Sequence, residues 1–284
     1  MAPSNPIERL IRRLAVAGLA LCAAACAGAP RNDRDWYPYL SRTTQVEMDE
    51  QRFSVTPVSD WRYAPSGPTA ETYTQASYAF DDLRNVWFVL EPQPGSKLAA
   101  HTLLLFEFSN DRLLGLTIEA RREVGEEYSA LRGVGRAFEL SYVWASARDL
   151  LVRRAVMLDH QVFVYPLAIQ DDRQRLLLRR VLERTAELET TPRYYNTLFS
   201  NCTNELAKAA DLDWHYAFIL TGASDNHLFR QGVIPGDSFE AAEARAEMSV
   251  FLREFNSLPA DADFDAALLA ELRRRSAPQP QAGS

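Results

Sequence analysis

Cysteine is scarce in this 284-residue chain: there are three, Cys22, Cys26 and Cys202. Two of them fall in an apolar N-terminal stretch, so no disulfide framework can be drawn and Cys202 is left without a partner. Other absences narrow the function. After that stretch no apolar run approaches the ~20 residues a membrane-spanning helix needs; "HTLLLFEF" and "VWFVL" are strand-sized. There is no basic tract, and 31 Lys and Arg stand against 38 Asp and Glu, a net charge of −7 that argues against a nucleic-acid partner. No G-x-S-x-G is present, so a serine-hydrolase elbow is unsupported. The sequence also lacks a phosphate loop, a dinucleotide fingerprint and an H-E-x-x-H helix, so neither a cofactor nor a metal is expected.

What is present begins with an export signal. Arg9, Arg12 and Arg13 precede the apolar run "LAVAGLALCAAA" (14–25), too short to cross a bilayer. The run ends in "AAAC", which resembles a lipobox with Ala23 where Leu is usual. The reading adopted is a lipoprotein signal over residues 1–25, lipidation of Cys26 and a membrane anchor on the periplasmic side of a bacterial envelope. The alternative is cleavage at an A-x-A site with release. Loss of residues 1–25 removes three Arg and one Glu and takes the charge from −7 to −9.

Residues 26–52 read as a tether and lead-in segment, 53–236 as the main domain, and 237–284 as a helical segment with a disordered tail, "SAPQPQAGS". "NVWFVLEP" (85–92) reads as a strand. "AAHTLLLFEF" (99–108), the turn "SNDR" and "LLGLTIEARRE" (113–123) form the clearest hairpin. "RAFELSYVWASARDLLVRRAV" (136–156) fits a strand followed by a short helix, and "QVFVYPL" (161–167) another strand. "DDRQRLLLRRVLERTAELE" (171–189) has helical spacing behind two acidic residues, and 239–258 is read as one further amphipathic helix. Strands followed by late helices predict an α+β fold, an antiparallel sheet packed against helices.

In "YNTLFSNCTNELAKAA" (195–210), Cys202 stands where a loop becomes a helix, with Ser200 or Asn201 as cap. A helix N-terminus stabilises a thiolate. The bland reading is a buried, inert cysteine. A nucleophilic thiol needs a base, most often His. Of the four histidines, only His101 begins a strongly apolar strand. Centring the turn between Asn110 and Asp111 puts position 101 opposite 120, with Glu119 or Arg121 alongside; Glu119 is a carboxylate able to fix the imidazole tautomer. His160 lies in "LDHQ", a turn. His215 and His227, near Asp211, Asp213 and Asp225, read as polar surface rather than a metal site.

The segments "AAHTLLLFEF", "LTIEARREVGEEYSALRGV", "FELSYVWASARDLL", "VFVYPL" and "YYNTLFSNCTNELA" follow the order found in the Lnb N-terminal periplasmic domain family. The resemblance runs from about Val58 to Gly236. That family is similar to the permuted NlpC-type, papain-like cysteine enzymes. The resemblance implies Cys202 as nucleophile, His101 as base and Glu119 as orienting group, with Tyr195 and Asn201 flanking the nucleophile as substrate or oxyanion contacts. The family's namesake is a lipoprotein transacylase. The expectation is therefore an exported thiol-dependent acyltransferase or hydrolase acting on an envelope lipid, a lipoprotein or a wall peptide. Its alternatives are a periplasmic amidase or peptidase and a non-catalytic binding or scaffold lipoprotein.

Overall fold

A computed structural model describes residues 28–276. The export segment, Cys22, Cys26 and the tail from residue 277 lie outside the described residues. The elements run β1 (Gln45–Met48), β2 (Arg52–Ser59), β3 (Arg62–Ala64), β4 (Gly67–Ala70), β5 (Tyr73–Ala79), β6 (Leu83–Pro92), β7 (Ala100–Phe108) and β8 (Arg112–Arg121). After these come α1 (Ala130–Val134), β9 (Glu139–Ser146), α2 (Ala147–Val152) with a π-helical turn over Arg153–Met157, and β10 (Phe163–Pro166). The remainder is helical: α3 (Asp171–Thr190), α4 (Cys202–Ala209), α5 (Ser224–Arg230), α6 (Phe239–Ala246), α7 (Ser249–Phe255) and α8 (Asp261–Ser276).

The main sheet has the order β1-β2-β9-β8-β7-β6-β10, with β5 also on β2. Its pairings are antiparallel except the single parallel contact Ser59–Ala145 between β2 and β9. The fold is α+β, as expected. The central strands read as nearly continuous apolar runs because both faces are covered. On one face, Leu104, Phe106, Leu116 and Trp144 pack with Leu177, Val181 and Leu206 of α3 and α4. On the other, Leu103, Leu105 and Val143 pack with Leu150 of α2 and with Phe264, Leu268 and Leu269 of α8. Each such buried side chain contributes about 1.5–3 kcal/mol. Gly115 of β8 lets α2 approach: a Cβ there would lie 2.3 Å from Leu150 Cδ1.

Two expectations need correction. The stretch 239–258 is two helices, α6 and α7. It breaks at Met248, whose N–H bonds the Val162 carbonyl at 2.9 Å while Ser249 Oγ accepts the Val162 N–H at 2.9 Å. Tethering the edge of β10 outweighs helical periodicity there. The segment from residue 28 to 44, read as a tether, is docked on the sheet. Trp36, Tyr39 and Leu40 are buried, and the buried Arg121 guanidinium bonds the carbonyls of Leu40 and Ser41 and Asn32 Oδ1.

Candidate functional site

The site is made where the sheet splits. β7 and β8 pair as far as Leu103–Thr117. Beyond that point β7 stays with β6 through Glu91–His101 and Pro92–Ala100, while β8 stays with β9 through Glu119–Ser141. The two strand ends diverge, and a cleft of about 640 Å³ opens between them. In a strand, alternate residues point their backbone groups the same way. The groups of Ala100 and Thr102 therefore need partners other than β8. Thr221 Oγ1 meets both groups of Ala100, at 2.8 Å from its N and 2.6 Å from its O. The Thr102 hydroxyl lies 3.0 Å from that of Thr203, whose oxygen is 3.8 Å from the Cys202 sulfur.

Helix α4 delivers that sulfur. Asn201 is the cap: its Oδ1 accepts the Asn204 N–H at 2.8 Å. Its Nδ2 donates to the carbonyls of Thr197 and Phe218, each at 2.8 Å. The Asn201 side chain is thus committed to holding the helix start, and the helix's free first-turn N–H groups face the sulfur's end. Glu205, without exposed surface, anchors the same turn through Ser200, Lys208 and Tyr142. Cys202 is buried and has no disulfide partner among the described residues.

His101 and Glu119 come together, though not in the register expected. The turn has three residues, 109–111, with Asp111 in the left-handed region at φ 54°. A three-residue turn is centred on Asn110 and shifts the pairing by one relative to a turn centred between Asn110 and Asp111. Carried two residues past Leu103–Thr117, it sets His101 against Glu119. Glu119 Oε1 lies 3.1 Å and Thr117 Oγ1 2.7 Å from His101 Nε2. The Thr117 hydroxyl donates to Glu119 Oε1 at 2.7 Å, so it can only accept from the ring. Nε2 therefore carries the proton, which leaves Nδ1 as the ring nitrogen free to accept one, and the ring lines the same cleft as Cys202.

Electrostatics reinforce the pair. Burial alone would raise the Cys202 thiol, but the adjacent His101 charge, its hydrogen bond and the Thr102 N–H outweigh burial and bring it down to about 7. Burial alone would lower His101; Glu119 and the thiolate raise it to about 10. Glu119, despite burial, is held well below the usual carboxylate range by His101 and then Arg154.

Several residues here escaped the sequence reading. The π-helical turn aims the buried Arg154 inward, its Nε 2.7 Å from Glu91 Oε2 and its NH2 3.4 Å from Glu119 Oε1. Glu91 Oε1 in turn accepts from His160 Nδ1 at 2.6 Å. Thr117 and Thr221 were also missed. The signal for Glu91 and Arg154 was charge inside an apolar run, one carboxylate in "WFVLEP" and an Arg pair in "LLVRRAV". Tyr195 is buried on the cleft wall, its hydroxyl 3.4 Å from that of Tyr128, and burial raises it strongly. His215 and His227 are placed apart from this network, their rings stacked at 3.6 Å. Among the described residues no group of three or more His, Cys, Asp or Glu is placed to hold a metal, and no helix is long and apolar enough to cross a membrane.

Residues 69–222, more than half of the chain, match the model of the Lnb N-terminal periplasmic domain family. The chain belongs to that family. No curated protein and no solved structure matches it. The matched segment of this periplasmic domain family begins within β4 and ends beside Thr221. It thus contains every residue of the split: Glu91, His101, Thr117, Glu119, Arg154, His160, Cys202 and Thr221.

Proposed function

We propose that the chain is an exported cysteine enzyme that forms an acyl thioester on Cys202, an acyltransferase or hydrolase of the cell envelope. The observation that carries this reading is that Cys202, at a helix N-terminus, and His101 line one cleft, with the imidazole tautomer fixed by Glu119 and Thr117. A cysteine opening a helix, a histidine on a strand and a polar partner on the next strand is the arrangement of papain-like thiol enzymes, here in permuted chain order.

The chemistry follows from that geometry. The thiolate attacks an acyl carbonyl and forms the C–S bond. The oxyanion is met by the first-turn N–H groups of α4, with Tyr195 on the same wall. His101, protonated by the thiol, returns the proton to the leaving group as its bond to carbon breaks. Water or an amine then attacks the thioester, giving hydrolysis or transfer. An apolar cavity of about 270 Å³ lies behind α4, lined by Phe88, Leu104, Leu177, Leu206, Phe218 and Leu228. Thr203, next to Cys202, also lines this cavity, but the cavity shares no lining residue with the site cleft, so the choice of an acyl chain over a wall peptide rests on the family resemblance. Anchoring through Cys26 would hold the site at a membrane surface, where such chains are found.

The test is intact-mass measurement of Cys202 after incubation with diacylglyceryl lipopeptide, with phospholipid vesicles and with wall muropeptides. An acyl adduct from the lipid probes, absent in Cys202→Ala, is expected. An adduct from muropeptides alone moves the reading to an amidase. None from any probe, with full binding retained by Cys202→Ala, leaves the binding module.

A further inference from the structure

The carboxylate–imidazole arrangement at His101 occurs twice. Glu119 serves His101, and Glu91 serves His160 through a 2.6 Å bond to Nδ1. The two carboxylates share one buried guanidinium, Arg154. Glu91 also stands directly opposite His101 in the β6–β7 register, so the two pairs are neighbours across a strand pair. The second pair is built. The π-helical turn that aims Arg154 is followed by Asp159 in the left-handed region at φ 53°, and the His160 N–H bonds the Arg154 carbonyl at 2.9 Å. Arg154 and His160 are therefore fixed by one piece of backbone.

The chemistry of the second pair is readable. Glu91 is buried, yet held below the usual carboxylate range by Arg154 and the His160 bond. An ionised carboxylate accepts, so His160 Nδ1 carries the proton, and in the neutral ring Nε2 is the basic nitrogen. The imidazole keeps 17% of its side chain exposed. It lines the site cleft, and it also lines a second cleft of about 880 Å³ that shares Gln93 and Ala99 with the first. His160 thus stands where the two clefts meet.

We infer that His160 is a second acid–base residue, which takes the proton from the acceptor that discharges the acyl-enzyme. This rests on the thioester reading above. With one base, the leaving group and the acceptor would have to occupy the same position beside His101 in turn. With two, the leaving group departs past His101 while the acceptor arrives from the second cleft. The acceptor's O–H or N–H atom bonds to the thioester carbon and its proton passes to His160 Nε2. The C–S bond then breaks and sulfur leaves as thiolate. His160 releases its proton to solvent and His101 takes one up, which restores the thiolate–imidazolium pair.

The experiment separates the two half-reactions. p-Nitrophenyl hexanoate loads Cys202, and the nitrophenolate burst gives the acylation rate. Decay of the hexanoyl adduct, followed by mass in buffer alone and with added glycinamide, gives deacylation by water and by an amine. His160→Gln keeps an N–H donor to Glu91; His160→Asn is the second variant should the first not fold. The burst rate is expected to stay within about twofold, and deacylation to fall about 10²-fold in at least one arm. The arm that falls names the acceptor class. Unchanged decay in both arms, or equal slowing of burst and decay, overturns the role of His160 and leaves the thioester reading standing. No adduct on wild-type Cys202 overturns both.

Discussion

Glu119 Oε1 lies 3.1 Å from His101 Nε2, across two strands that have already ceased to hydrogen-bond each other. The side chains, not the backbone ladder, hold the gap at the site. Glu119→Gln keeps an acceptor oxygen but removes the charge that raises His101. Thioester formation should slow by about 10–100-fold, whereas His101→Ala should lose about 10³-fold or more. Burst kinetics with an activated acyl ester measure both. Equal losses would mean that Glu119 is essential for more than orientation.

The thiol should titrate low. Its fall to about 7 comes from His101 and the Thr102 N–H overcoming burial, so the thiolate fills as pH rises through about 7. Alkylation of Cys202 by iodoacetamide should reach half its limiting rate near there. In His101→Ala burial acts with less opposition, and the midpoint should move up, past the ordinary thiol value of about 8.5. A midpoint unmoved by that substitution would mean that the imidazole does not set the thiol's charge.

Stability should carry a pH signature from Asp265, far from the cleft. Buried on α8, it accepts the Leu113 N–H at 3.0 Å, and burial raises it to about 7. A carboxyl raised in the folded state binds its proton more tightly there than in the unfolded chain. Its stabilising effect is therefore present in acid and is lost as pH rises from about 4 through 7. Asp265→Asn stays neutral throughout. It should melt higher than wild type at pH 8, by roughly 2–4 °C for each kcal/mol, with the gap closing toward pH 4. Calorimetry at both pH values decides it; a gap that widens in acid contradicts the assignment.

Gly115→Ala should destabilise. The added Cβ would sit 2.3 Å from Leu150 Cδ1, 3.2 Å from Leu105 Cδ2 and 3.3 Å from the Ala145 carbonyl. The backbone oxygen cannot rotate away as a side chain can. A loss of about 1–3 kcal/mol in chemical denaturation is expected. A loss under about 0.5 kcal/mol would show that Leu150 has room to shift.

What the sequence disclosed about the site was local. Cys202 stands in a cap-and-helix pattern, and the 99–121 hairpin brings His101 and Glu119 within one register step of each other. Turn length was the detail that pattern could not supply: 109–111 fit either count until Asp111 is seen at positive φ. Arg154, Glu91, His160 and Thr221 were not legible as a group. They meet only after β6, β7, the π-helical turn and the loop before α5 are assembled. The same holds for the break at Met248, which is decided by β10's need for partners, and for α8, whose apolar face has meaning only against Leu103 and Leu105.

The sheet is covered on both faces, and that sets the unit of inheritance apart from the unit of folding. The family segment, 69–222, contains Cys202, His101 and Glu119 but neither β2, which closes one side of β9, nor α8, which roofs Leu103 and Leu105. Cut out alone, it would present an oily face to water and would be expected to clump during expression. Designers of minimal versions, and anyone grafting this site onto another scaffold, should treat the flanking residues from Trp36 through Leu272 as part of the machine's housing.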